Sequence, residues 1–268
     1  MTWTAGRLNG GLGNRLFQHA AAAGLAEKRG QKPVFFLPQC NATGHGPFNN
    51  IFKLFPDVEV LDTAPDWLTV SEEDRTLYKY QPLPVEPRDK PIVVSGWRQT
   101  EKYFPSTGIR VNFVSALGTE KAAALREFIP NPQSTWFVHV RLGDYKNLKH
   151  HQVDLTEYYK KCCVQIPRGS SLILFSDESH LCSPFFASVA QQLGLSFSIC
   201  PSKDELEGLY LMSLCLGGAI IANSTYSWWG AYFSHQNGCQ KLFYPSNWGS
   251  GLPPPDDLIP SWGTRVET

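Results

Sequence analysis

From Trp136 onward the sequence repeats one pattern: a short apolar run, a polar cluster, then a stretch with helical spacing. The apolar runs fall at 136–141, 172–175, 195–199, 219–222 and 241–244, and the helical stretches near 155–165, 184–193, 204–215 and 226–234. Short continuous apolar runs bounded by turn residues read as strands buried on both faces. Strands that alternate with helices need right-handed crossovers, and these build a parallel sheet. An α/β fold is therefore expected.

The first half carries the same elements less regularly. Trp3 to Leu8 reads as a strand and Gly10-Gly11-Leu12-Gly13 as a tight loop. The alanine-rich segment from Asn14 to Arg29 reads as a helix, with Asn14 suited to the N-cap and Gly30 to the C-cap. Further strands are expected at 33–37 and 91–95, a helix at 116–129, and irregular structure over 38–90. Pro130-Asn131-Pro132 breaks the pattern and reads as a linker. The expected division is a lobe at 1–130, a lobe at 131–248 and a Pro- and Gly-rich closing tail at 249–268. A length of 268 residues suits two such lobes.

Composition excludes several classes of function. Lys+Arg and Asp+Glu both number 24, so the net charge is zero and no general affinity for nucleic acid or acidic membranes is expected. No apolar run approaches the ~20 residues that span a bilayer, and the N-terminus shows no signal-peptide pattern. The seven cysteines show no C-x-x-C spacing and read as reduced, mostly buried thiols, which suits a cytoplasmic protein. Asn41-Ala42-Thr43 and Asn223-Ser224-Thr225 match the glycosylation acceptor pattern, which without a secretion signal carries little weight.

Three strand ends in the second half carry polar clusters: His139/Arg141/Asp144, Ser176/Asp177/Glu178 and Asn223/Ser224/Thr225. In parallel strands these would share one rim, where ligands bind in open α/β sheets. Arginine offers a rigid fork of donors suited to phosphate, so Arg141 reads either as a diphosphate ligand or as half of a loop-stabilising pair with Asp144. Ser224 and Thr225 open a helix, whose N–H groups bind phosphate, or they simply cap it. Asp177 could accept two N–H bonds from a guanine edge, or cap the helix that follows.

The N-terminal glycine loop resembles a dinucleotide fingerprint and fails it, since Leu16 stands where the third glycine belongs and no acid ends the second strand. Gly11 and Gly13 then read as room for a ligand to approach backbone, or as a tight turn. No D-x-D occurs, so no metal site is expected. His150-His151 reads as a surface pair, Glu72-Glu73-Asp74 as a solvated face, and Trp228-Trp229 as core packing with sugar stacking as the alternative.

At these residues the chain resembles the α-1,2-fucosyltransferases, glycosyltransferase family 11. The resemblance rests on Gly10-Gly11-Leu12-Gly13-Asn14 with Phe17-Gln18, on Gly96 to Phe104 (GWRQTEKYF), on His139 to Tyr145 (HVRLGDY) and on Asn223 to Gly230 (NSTYSWWG), with lesser matches at Leu206 to Cys215 and Asp257 to Pro260. It covers nearly the whole chain. It departs from the family pattern at Arg15, usually Gln, at Leu142, often a second Arg, and at Gly96-Trp97-Arg98, more commonly Gly-Tyr-Phe.

The resemblance implies a GT-B architecture, two Rossmann-like lobes with a cleft between them, the C-terminal lobe binding the nucleotide sugar and the N-terminal lobe on the acceptor side. It implies inverting transfer of L-fucose from GDP-β-L-fucose to a hydroxyl of a glycan acceptor, such as the 2-OH of galactose, with no cofactor and no metal. It places Arg141 on the diphosphate, His139 and Asp177 on guanine, Ser224 and Thr225 on phosphate, and Asn14 near the diphosphate or reacting sugar. Gly11, Gly13 and Gln99 complete the expected substrate contacts. The base is not identified by the sequence: Asp144 and Glu101 are candidates for it or structural residues, and His19, on an alanine-rich helical face, is a weaker one. Another donor or acceptor on the same scaffold, and a non-catalytic carbohydrate-binding module, remain as alternatives.

Overall fold

A computed structural model describes residues 2–41, 47–64, 66–72 and 77–268. The chain packs as two units, Met1–Ala116 with Pro255–Pro260, and Leu117–Pro254 with Ser261–Thr268. Each is built on a parallel sheet, which makes the protein α/β.

The first unit contains β1 (Thr4–Gly6), α1 (Leu12–Arg29), β2 (Pro33–Phe36), α2 (Asn50–Leu54), β3 (Glu59–Leu61), β4 (Leu68–Val70) and β5 (Ile92–Val94), and α3 (Phe113–Leu117) lies at its end. Its strand order is β3-β2-β1-β5-β4. Helix α1 buries its alanines Ala20 to Ala22 completely. The helix ends as the sequence implies: Gly30 takes the left-handed conformation (φ 67°), and its N–H bonds to Ala26 and Glu27 carbonyls. A side chain at Gly6 would put its Cβ 2.5 Å from the Gln18 carbonyl oxygen, so glycine there lets α1 lie directly on β1.

The second unit contains α4 (Thr119–Glu127), β6 (Thr135–Val140), α5 (Thr156–Cys163), β7 (Ser171–Ser176), α6 (Ser179–Leu193), β8 (Ser196–Ile199), α7 (Glu205–Ser213), β9 (Gly218–Ile220), α8 (Thr225–Gln236), β10 (Leu242–Pro245) and β11 (Thr264–Val266). Its strand order is β11-β10-β9-β6-β7-β8. Every residue of β6 is buried, as a central strand covered on both faces requires. Trp228 and Trp229 are 0% exposed and pack on Tyr232 and Phe233, so this pair is core.

Several expected boundaries move. The helix expected over 116–129 is broken at Gly118 (φ 85°) into α3 and α4. Helix α4 belongs to the second unit, where Lys121 pairs with Glu207 of α7 at 2.9 Å, so the unit starts at Leu117 and not after the proline linker. Helix α6 starts five residues before Pro184, whose missing N–H falls in its second turn. The stretch read as irregular holds β3 and β4, and the tail holds β11, paired with β10.

The cysteines are all free thiols, four of them buried. Among the described residues no helix is long and apolar enough to cross a membrane. Asn223 is buried, and its Nδ2 donates to the His151 and Trp248 carbonyls at 3.2 Å, so the folded chain does not present it for glycosylation. Ala42, Thr43, Glu73 and Asp74 lie outside the described residues.

Candidate active site

In the second unit β6 pairs with β7 on one side and with β9 on the other, all parallel. The three polar clusters read from the sequence therefore end adjacent strands at one edge of the sheet. The chain proceeds from β6 outward through β7 and β8, then returns to β9 and continues outward through β10 and β11. Between β6 and β9 lies the topological switch point, the usual ligand crevice of such sheets.

Arg141 follows β6 and is held by two carboxylates. Its Nε and Nη2 donate to Asp144 Oδ1 at 2.9 and 2.6 Å, and its Nη1 lies 3.1 Å from Asp177 Oδ2. The loop-stabilising pair is thus present, and Asp144 orients the guanidinium. The fork keeps N–H groups beyond these contacts for a ligand. With roughly a quarter of its side chain exposed, the arginine is fixed and still accessible.

Asp177, at the end of β7, is committed to the loop. Its Oδ1 accepts from the Leu142 N–H and its Oδ2 from the Gly143 N–H, both at 3.0 Å. A Cβ at Gly143 would sit 2.5 Å from Asp177 Oδ2, so glycine is needed for the carboxylate to come this close. The carboxylate assigned by resemblance to guanine is here occupied by backbone. Nor does Asp177 cap α6, whose N-cap position is Glu178 with no side-chain cap bond.

His139 is 4% exposed, stands beside the Tyr226 ring, and its Nδ1 has no hydrogen-bond partner among the described residues. Burial first, then the charge of Arg141, push its imidazole down to about 3, so it is neutral at ordinary pH. Ser224 stands at the N-cap of α8 without a side-chain cap bond, and Thr225 begins the helix. The capping alternative for Ser224 is therefore not realised, and the helix N-terminus stands next to the Arg141 loop. Tyr145 links the two, its hydroxyl donating to the Asn223 carbonyl at 3.0 Å. Its phenol, pushed up to about 12 mainly by burial, stays protonated as that bond requires. A cavity of about 750 Å³ opens beside Arg141, lined by Leu142, Tyr145, Val153, Phe185 and Asn223 among others. It was not foreseen, because it forms where loop 141–156 and α5 pack against α6 and Asn223, an approach that only tertiary packing sets.

The remaining expected residues lie in the first unit. Helix α1 begins at Leu12 with Gly11 at its N-cap, so Gly13 and Asn14 are helical and Asn14 is not the cap. The left-handed glycine of the loop is Gly10 (φ 74°). Gln99 donates from Nε2 to Asn14 Oδ1 at 3.0 Å, which joins two of the expected residues across 85 positions. Arg15 is fully buried, its guanidinium 4.5 Å from the Phe48 ring centroid and its Nη1 donating to the Pro47 carbonyl. His19 is packed against Phe35 and Phe55 and pushed down to about 4 by burial, which makes it part of an aromatic core. Glu101 sits in a short 3-10 turn over Glu101–Tyr103. Glu72 is no solvated residue: it accepts from the Trp97 N–H at 2.7 Å and the Arg98 N–H at 3.3 Å. Among the described residues no three His, Cys, Asp or Glu side chains gather in a way that could hold a metal ion.

No protein-family model matches the chain. It is 34% identical over 108 residues to the O-antigen biosynthesis glycosyltransferase WbnK of Escherichia coli, a match covering 38% of the chain and 35% of that relative. It is 26% identical over 261 residues to an Escherichia coli α-1,2-colitosyltransferase, covering 88% and 89%. It is 24% identical over 257 residues to svh-11 of Caenorhabditis elegans, named as a galactoside 2-α-L-fucosyltransferase, covering 87% and 68%. The chain is thus similar to proteins named as glycosyltransferases, among them an α-1,2-colitosyltransferase and a galactoside 2-α-L-fucosyltransferase. Two solved structures share the fold of this fucosyltransferase-like chain. NodZ α-1,6-fucosyltransferase, co-crystallised with GDP, has a TM-score of 0.52 at 17% identity and covers 86% of the chain and 92% of its own. POFUT1 in complex with GDP has a TM-score of 0.50 at 11% identity, covering 90% and 97%.

Proposed function

We propose that this glycosyltransferase moves L-fucose from GDP-β-L-fucose to a hydroxyl of a glycan acceptor, with inversion at the anomeric carbon and without a metal ion. The observation that carries the reading is the switch point of the second unit. It sets a fixed, accessible arginine beside the N-terminus of α8 and a cavity of about 750 Å³, within the range of nucleotide-sized sites. Support for the donor comes from the names of the relatives and from solved neighbours holding GDP or GDP-fucose.

In this reading the second unit binds the donor and the first serves the acceptor. The acceptor oxygen bonds to fucosyl C1 as the bond from C1 to the β-phosphate oxygen breaks, and the acceptor proton passes to a base. The transition state is oxocarbenium-like, with negative charge growing on the departing diphosphate. Arg141 and the N–H groups opening α8 stabilise that charge, and because Asp144 and Asp177 already fix the guanidinium, little reorganisation accompanies the step. A second reading keeps the mechanism and changes the deoxyhexose, which the colitosyl name of one relative favours.

Thermal-shift measurements with GDP, UDP and dTDP test the nucleotide, since a ligand that binds only the folded state raises stability with its concentration. GDP alone should stabilise. Radiolabelled GDP-fucose on a glycan array tests transfer. Stabilisation by UDP in place of GDP, or a response to glycans with no nucleotide effect, would sink the proposal.

A further inference from the structure

The first unit has a switch point of its own. β1 pairs with β2 on one side and with β5 on the other, all parallel, and the loops leaving β1 and β5 share one edge of the sheet. The first carries Gly10 and leads to Asn14. The second carries Trp97 and Gln99. An ideal Cβ on Gly10 would lie 2.8 Å from Asn14 Nδ2 and 3.4 Å from the Trp97 ring, so the bare glycine sits between an amide and an indole.

The loop after β5 is held in a disfavoured shape. Gly96 has φ 113° and Arg98 has φ 51°, left-handed values that a non-glycine residue rarely keeps unless its surroundings impose them. Those surroundings are visible. Glu72 accepts from two successive N–H groups of the loop, while the buried Arg98 guanidinium donates to the Ser95 and Val70 carbonyls at 3.0 and 3.3 Å. Arg98, Gln99 and Thr100 are all buried, yet Trp97 between them and Gly96 is 41% exposed. A strained, fully tied loop thus keeps one indole in solvent beside two oriented amides. That pairing suits a sugar ring, whose C–H face packs on an aromatic surface while its hydroxyls take amide hydrogen bonds.

We propose that Trp97, with Asn14 and Gln99, forms the subsite for the pyranose ring of the acceptor, Trp97 stacking on its apolar face. This rests on the transferase reading for its biological use, but the binding itself needs no donor. Saturation-transfer NMR with methyl β-D-galactopyranoside, methyl β-D-glucopyranoside and methyl α-D-mannopyranoside tests it on the whole chain, and calorimetry with GDP runs alongside. The wild-type protein should bind at least one glycoside, with the strongest transfer to C–H protons of a single face. Trp97→Ala should weaken that binding about tenfold, the scale of one lost aromatic contact, and Trp97→Phe should recover most of it. GDP affinity should stay within about twofold in both variants, because no donor contact is removed. Glycoside binding that is absent in the wild type, unchanged in Trp97→Ala, or lost in step with GDP affinity would overturn the subsite. Failure of GDP to bind the wild-type protein would instead remove the transferase reading and leave the glycoside result standing.

Discussion

Removing the Asp177 carboxylate should cost both stability and the aim of Arg141, without touching nucleotide choice. In Asp177→Ala the Leu142 and Gly143 N–H groups lose their acceptors and Arg141 loses one of two carboxylates. Hydrogen bonds to a charged group are worth about 1.5–3 kcal/mol each, and partial exposure of this loop argues for the lower end. Two such bonds give roughly 2–3 kcal/mol, or about 5–10 °C in the melting of the second unit. Gly143→Ala should act through the same contact, since its Cβ would collide with Asp177 Oδ2. The double variant should then be little worse than Asp177→Ala alone, a coupling that independent sites do not show. The assay is thermal melting of the four proteins with calorimetric titration of GDP and ADP. Both nucleotides should weaken by a similar factor in Asp177→Ala. A selective loss of GDP would mean that the carboxylate leaves the loop to read guanine, and would refute the clamp.

Arg141→Ala should lower kcat by about 10²–10³-fold and weaken GDP, and Arg141→Lys should recover little because an ammonium cannot reproduce the fork held by Asp144; steady-state kinetics of folded variants decides. Activity should survive EDTA, and loss on chelation with recovery on Mn²⁺ or Mg²⁺ would contradict the charge account given for Arg141 and α8. His19 and His139 are held neutral in the fold, at about 4 and about 3, below the ordinary 6.5. Their contribution is complete above about pH 6.5 and is lost as pH falls from there through the folded values, because the unfolded chain takes up protons that the folded chain refuses. Urea unfolding at stepped pH should show this slope, and His19→Phe, which suits the Phe35 and Phe55 surroundings, should flatten it.

The strands β6, β7, β9 and β10 were legible because each is a largely buried apolar run, and their adjacency followed from the parallel rule, whereas β11, an exposed edge strand in the tail, was not. The three-residue strands β3 and β4 were not, since edge positions such as Val60, 47% exposed, carry no apolar pattern. Arg141 and Asp144 could be paired from spacing alone. The roles of Asp177 and Glu72 could not, because each carboxylate serves backbone N–H groups about 25 to 35 positions away, and backbone donors leave no trace in residue identity. Asn14 and Gln99 could be named from motifs, but only packing shows that they touch.

The segment Pro255–Pro260 belongs to the unit that begins the chain. There Asp257 accepts from the Tyr80 N–H at 2.7 Å and pairs with Lys102. During synthesis, which proceeds from the N-terminus and ordinarily lets the leading domain fold first, this unit cannot be completed until the second has emerged from the ribosome. The first unit is thus begun first and finished last. A stop codon before Pro255 would spare every strand of its sheet and still leave Tyr80 and Lys102 without the partner that closes it.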